Sequence, residues 1–270
     1  MPDKGTKKKL TRVEGGETPS TGTAKDTKPF IASDESKAKA RNFRIFAIVS
    51  WIVAIGLEVG AILMLKKVPI NTTWLIILIV ADLIFAVIGN LLWKKANRFD
   101  PASEKDKFRF FVQNQLGAII AVIAFLPLVI LIFTNKDLKG KQKGLVGGIA
   151  VVALLIAGVT GIDFNPPSQE QYTQQIEQVK SLGAGHVYWT KSGTRFHLYQ
   201  DCQHINTRKT DEIFQGSVPQ ARELKNITEL CKTCEGRWKK EHVAVESPVP
   251  EIEIPAAEVP AGEAVPVPVN

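Results

Sequence analysis

Polar residues fill the first forty or so positions, and then apolar residues crowd into four runs at about 43–65, 74–93, 116–133 and 145–162. Each run is about 18–23 residues long, enough at about 1.5 Å per residue to cross a hydrocarbon core of about 30 Å. Charge is nearly absent inside them, a pattern that buried helices of a soluble protein do not need. Trp51, Trp74 and Trp93 add to it, the last two because they sit at run ends, where an indole favours the interface. The pattern predicts a four-helix transmembrane domain over 43–162.

Beyond the fourth run the period changes. Pro166 and Pro167 end that run, because proline cannot continue a helix and restricts the residue before it. Ser168 to Gln171 (SQEQ) reads as a capping box, and Tyr172, Ile176 and Val179 recur at helical spacing. Gly183 to Gly185 (GAG) then stops a linker helix within 163–185. Two alternating stretches, VYWT at 187–190 and RFHL at 195–198, flank KSGT and predict a hairpin. Ser217 to Gln220 (SVPQ) opens a short helix, and Cys234 leads into a polar helix at 235–242. The expected fold class is therefore an all-α membrane bundle followed by a small α+β domain at 186–242. Residues 1–42 and 243–270 are expected to be disordered tails. The first is basic, with ten Lys/Arg against six acids, and could touch anionic headgroups. The second is rich in Pro, Glu and Val, with six prolines at 244–270 that forbid a packed element.

The formal charge of +7 is unevenly placed. Lys37, Lys39, Arg41 and Arg44 precede the first run, and six Lys/Arg between Lys94 and Arg109 separate the second and third. The first short loop has only Lys66 and Lys67. The positive-inside bias puts both termini in the cytoplasm of a multi-pass protein of the inner or plasma membrane. Lys136, Lys139, Lys141 and Lys143, between the third and fourth runs, pull the other way. The first run is too long for a cleaved leader and reads as a signal anchor.

The candidate chemistry lies in two places. His197, Cys202, Cys231 and Cys234 include every cysteine of the chain. A Cys-x-x-Cys knuckle with a distant His/Cys pair supplies four soft ligands to one tetrahedral Zn²⁺. Three thiolates and an imidazole leave no open position for water, so one structural zinc is expected. His204 competes for the fourth place, but with Cys202 it would ligate from two residues apart, a strained bite. Three clustered cysteines do not make a disulfide framework, and a reduced cytosolic compartment fits them better.

These residues carry a resemblance. VYWTKSGTRFH at 187–197, DCQHI at 201–205, AREL at 221–224 and CKTC at 231–234 together resemble the Ada-type zinc-binding fold, which bacterial proteins carry as an appended domain. The match covers about 50 residues, with Phe196 where the family pattern has Tyr. It implies a zinc-binding fold. In the Ada repair protein one of four zinc-bound cysteines accepts a methyl group from damaged DNA. Here His197 takes one cysteine's place, and nothing else in the chain resembles that protein. The expectation is a non-enzymatic protein rather than an alkyl-accepting zinc thiolate.

The second place is the membrane. Glu58 and Asp82 lie seven or eight residues from the outer ends of the first two runs, at nearly one depth in an antiparallel hairpin, with Asn90 deeper on the second. Ionisable groups in hydrocarbon mark function by default, interhelical hydrogen bonding being the bland alternative. Gly56/Gly60 and Gly144/Gly148 are spaced for close helix approach. Two functions follow. The zinc module could present a surface to a cytoplasmic protein or to nucleic acid, with Lys191, Arg195, Arg208, Lys209, Arg222, Arg237, Lys239 and Lys240 supplying basic charge. Alternatively the chain is a small proton or cation transporter or channel-like protein using Glu58 and Asp82, with the zinc module as regulator.

Overall fold

A computed structural model of the chain describes residues 8–13 and 29–243. In order, the elements are β1 (Lys9–Arg12), α1 (Asp34–Leu65), α2 (Thr72–Phe99), α3 (Lys107–Thr134), α4 (Gly140–Gly161), α5 (Gln169–Ser181), β2 (Val187–Thr190), β3 (Arg195–Phe196), β4 (Glu212–Gly216), α6 (Val218–Lys225), β5 (Glu229–Leu230) and α7 (Lys232–Val243). Helices α1 to α4 are long and apolar enough to cross a membrane.

Three of the four helices outrun their apolar stretches on the side that carries the C-terminal domain. Caps rather than hydropathy set these ends. Ser33 accepts from the Ser36 amide ahead of the acids Asp34 and Glu35, and Asp106 accepts from the Arg109 amide. At about 1.5 Å per residue the 32-residue α1 is about 48 Å long, well beyond a core of about 30 Å. The extra turns form a platform outside the apolar layer.

Small residues are concentrated inside the bundle. Half of its main buried cluster is alanine, with Ala54 and Ala61 of α1, Ala86 of α2, Ala121 and Ala124 of α3, and Ala150, Ala153 and Ala157 of α4, beside larger residues such as Leu75, Ile79, Phe125 and Leu128. Larger residues such as Ile52, Leu63, Ile84, Ile123 and Leu155 face outward and are exposed. Small residues inside let helices approach when lipid, not water, surrounds them. The expected glycine pairs do not mediate this approach. A Cβ on Gly56, Gly144 or Gly148 would meet nothing within 4 Å, and one on Gly60 would only touch Leu78 at 4.0 Å. The tight crossings lie elsewhere. Gly89 sits under the Trp51 indole, and Gly117 and Gly161 bring α3 and α4 together, where a Cβ on Gly161 would fall 2.4 Å from the Ala118 nitrogen.

The C-terminal domain holds a three-stranded sheet, ordered β1-β4-β2, and a two-stranded ladder of β3 with β5. The hairpin expected at 187–198 is there as the exchange of backbone bonds between Tyr188 and His197, both 2.7 Å. Three strands exceed the sequence reading: β1, β4 and the short β5 that pairs with β3. β4 occupies the segment between Thr207 and Lys225. β1 lies inside the tail expected to be disordered and runs parallel to β4, with Leu10 opposite Ile213. Residues 34–42 of the same expected tail are helical, since the Ser33 cap starts α1 at Asp34; of the two expected tails, 1–7, 14–28 and 244–270 lie outside the described residues.

The linker helix α5 fastens this domain to the platform. Its Tyr172 is fully buried and donates to the Arg98 carbonyl at the end of α2 (2.8 Å). Glu170 accepts from the Ser103 hydroxyl and the Glu104 amide of the α2–α3 loop. Ser168 caps α5 through the Gln171 amide, as expected, but the Gln171 side chain turns away and accepts from Arg222 of α6 (3.2 Å).

Candidate metal centre

The metal centre grows from strand register. Phe196 pairs with Leu230 in the parallel β3–β5 ladder, so the next residues, His197 and Cys231, emerge side by side. Asn226 ends α6 in the left-handed conformation (φ 53°) and turns the chain into β5. Cys231 closes that strand, and α7 begins one residue later, which puts Cys234 in its first turn. A tight turn after His197 brings in Cys202, whose carbonyl accepts from the Ile205 and Asn206 amides (3.0 and 2.8 Å).

The result is one cluster. The ligand atoms of His197, Cys202, Cys231 and Cys234 all lie within 4.8 Å of one another, and all four residues are buried. Nδ1 is the imidazole nitrogen turned inward, 3.6 Å from Cys234 Sγ. Tetrahedral zinc, with bonds of about 2.3 Å to sulfur and about 2.0 Å to nitrogen, sets its ligand atoms about 3.5–3.8 Å apart. The cluster therefore fits such an ion with shifts of about 1 Å or less. His204 stands outside it. Its exposed ring bonds the Thr233 hydroxyl (3.0 Å), with its centroid 6.5 Å from that of His197.

The electrostatics suit a cation. Burial, helped by the charges of His204 and Arg195, pushes the His197 imidazole down to about 4, so it is neutral near pH 7 and free to ligate. Burial alone would hold the thiols protonated, and it pushes Cys234 up to about 12 and Cys202 in the same direction. At Cys231 burial is outweighed by the amides of Cys234 and Thr233, and its thiol falls below the usual range. Backbone amides are aimed at the other sulfurs too, from Leu198 and Tyr199 to Cys234 and from His204 to Cys202. Three buried sulfurs ringed by N–H donors form a shell for negative charge, and a divalent ion held between them would supply the missing attraction. Ile205, Ile213, Tyr188 and Leu198 pack around them.

The basic residues expected to meet nucleic acid are mostly engaged. Arg222 is wholly buried, its guanidinium 4.1 Å from the Tyr172 ring centroid and bonded to Gln175 and Gln171. Arg195 pairs with Glu229, Arg237 with Asp201 and Glu241, and Lys239 with Glu235.

In the membrane, the three polar residues separate. Asn90 ties helices together, accepting from Trp51 Nε1 (3.2 Å) and donating to the Ala157 carbonyl of α4 (2.9 Å). Trp51, expected to mark the apolar layer, is thus a buried internal anchor, and Trp93 donates to the Gln113 carbonyl of α3. Glu58 and Asp82 are both buried, without Asn90 as a partner. Comparison with family models, curated proteins and solved structures gives no match. The Ada-type resemblance accordingly rests on the module's own motif.

Proposed function

We propose that this is a membrane-anchored binding protein whose C-terminal module closes around one structural Zn²⁺ and presents a protein-binding surface at the cytoplasmic face. The observation that carries the reading is the convergence of three thiols and one imidazole, buried and supplied with backbone donors. Four protein ligands complete a tetrahedral shell, which suits a staple rather than a water-activating centre. The module is small, and a metal offsets what so limited a core cannot supply. A protein partner is favoured over nucleic acid because Arg195, Arg222, Arg237 and Lys239 already have acidic or buried partners. At least half of the eight basic residues that could meet a phosphate backbone are thus already engaged.

The test is metal analysis of the purified full-length chain. It should carry one zinc per chain, and Cys234→Ser should lose it. Chelation should shift the fluorescence of Trp189, buried in the module core beside Phe196, because metal-binding energy is folding energy here. A stoichiometry near zero with Trp189 emission indifferent to chelator would overturn the reading.

A further inference from the structure

Glu58 and Asp82 are the acidic residues inside the apolar layer, and the fold gives neither a counter-charge. Both fall on the inward faces of their helices. Glu58 follows Ala54 and precedes Ala61 at spacings of four and three, and Asp82 follows Ile79 and precedes Ala86 at spacings of three and four. The Trp51–Asn90 bond fixes the antiparallel register of α1 and α2. Counting seven residues on along α1 and eight back along α2 sets Glu58 across from Asp82, close enough for its charge to act there. Asp82 is ten residues into α2, about 15 Å from its start and so near mid-membrane.

At this depth α3 and α4 present Ala124, Phe125, Leu128, Ala150 and Ala153, with no ionisable group among them. The Leu128 amide, next to Pro127 inside α3, is turned to Glu58. Glu58 Oε1 and both Asp82 oxygens are buried and have no hydrogen-bond partner among the described residues. Asp82 is 0% and Glu58 5% exposed. No Lys, Arg or His among the described residues pairs with either. A bare carboxylate in so dry a place costs several kcal/mol, and two facing one another add repulsion. Positive charge must accompany them.

We propose that Glu58 and Asp82 form an intramembrane binding site for one small monovalent cation, either a proton or an alkali-metal ion. The pair has the chemistry for both. Oxygen ligands on two helices can share a proton or coordinate a hard ion. The site is separate from the metal centre, whose thiolates favour soft divalent ions.

Infrared spectroscopy of the full-length protein in lipid nanodiscs tests this through the C=O stretch of protonated carboxyls. One arm raises the pH without alkali ions. The other adds NaCl or KCl at fixed pH, against choline chloride at equal ionic strength. A protonated-carboxyl band that bleaches with pH alone identifies the proton. One that also bleaches with the alkali ion, while thermal stability rises, identifies the metal. Glu58→Gln and Asp82→Asn should each remove the response, or weaken apparent ion affinity about tenfold or more. Retained zinc content and a single oligomeric species would show that these variants fold. A band that neither pH nor alkali ion alters would mean a permanently protonated structural pair, and would overturn the proposal. An ion response that survives both amide substitutions would place the site elsewhere and do the same.

Discussion

The Glu223 carboxylate accepts a 2.7 Å hydrogen bond from Ser36 where the module meets α1. Burial pushes its carboxyl above the ordinary value of 4.5, and Ser36 and Lys39 only partly offset this. A folded-state value above the unfolded one means that the folded protein holds its proton longer. The contribution to stability is fully present below about pH 4.5 and is lost as pH rises through the folded-state value. Glu223→Gln should keep the Ser36 contact and remove this slope. Melting temperatures of the two proteins should converge at acid pH, with the variant equal or higher near pH 7; a variant that melts lower near neutrality would show that the charge itself is needed. Arg222, beside it in sequence, shows what the sequence conceals. A lone arginine in a short, mostly polar helix reads as a surface cation, yet Tyr172, Gln171 and Gln175 of α5 enclose it. Such burial depends on how two helices dock, which no local pattern encodes. The metal ligands were the opposite case, because ligand spacing is itself a geometric statement. Only the choice between His197 and His204 needed the β3–β5 register.

The helices were legible as elements because their period and caps are local, and the same stepping places Glu58 and Asp82 on inward faces. The two larger surprises are strands. β4 reads EIFQG and buries Ile213 and Gln215 while leaving Phe214 half-exposed, so polar and apolar residues fall on both faces and alternation disappears. β1 reads KLTR, and its partner lies some two hundred residues away. It is held by backbone bonds, Lys9 to the Asp211 carbonyl and Val13 to that of Gln215, and by ion pairing of Lys9 with Glu212. Thr11→Pro should release it, since proline takes away a ladder donor and fixes the backbone. Each lost bond is worth about 1 kcal/mol, so β4 amides should exchange roughly five- to tenfold faster, while α7 keeps its protection. Unchanged β4 exchange would mean that residues 9–12 add nothing to the sheet in solution.

Four spans return the chain to the side on which it began, and the pairing of β1, ahead of the bundle, with β4, behind it, requires the same parity. Which side that is depends on charge. The module-bearing side flanks the spans with Lys37, Lys39, Arg41, Arg44, Lys94, Lys95, Arg98, Lys105, Lys107 and Arg109, ten in all, against six on the other side, Lys66, Lys67, Lys136, Lys139, Lys141 and Lys143. The bias of ten to six favours a cytoplasmic module. If the three thiols hold a metal, a reducing compartment, which would keep Cys202, Cys231 and Cys234 reduced, fits the same side. Val68, in the α1–α2 loop and 71% exposed, would then face outward. A Val68→Cys variant should react with a membrane-impermeant thiol reagent in intact cells. Cys202 should react only after permeabilisation and removal of the metal. Labelling of Cys202 from outside, with Val68→Cys silent, would invert the orientation and expose the three thiols to an oxidising compartment, where neither the lysine count nor the metal centre would make physical sense.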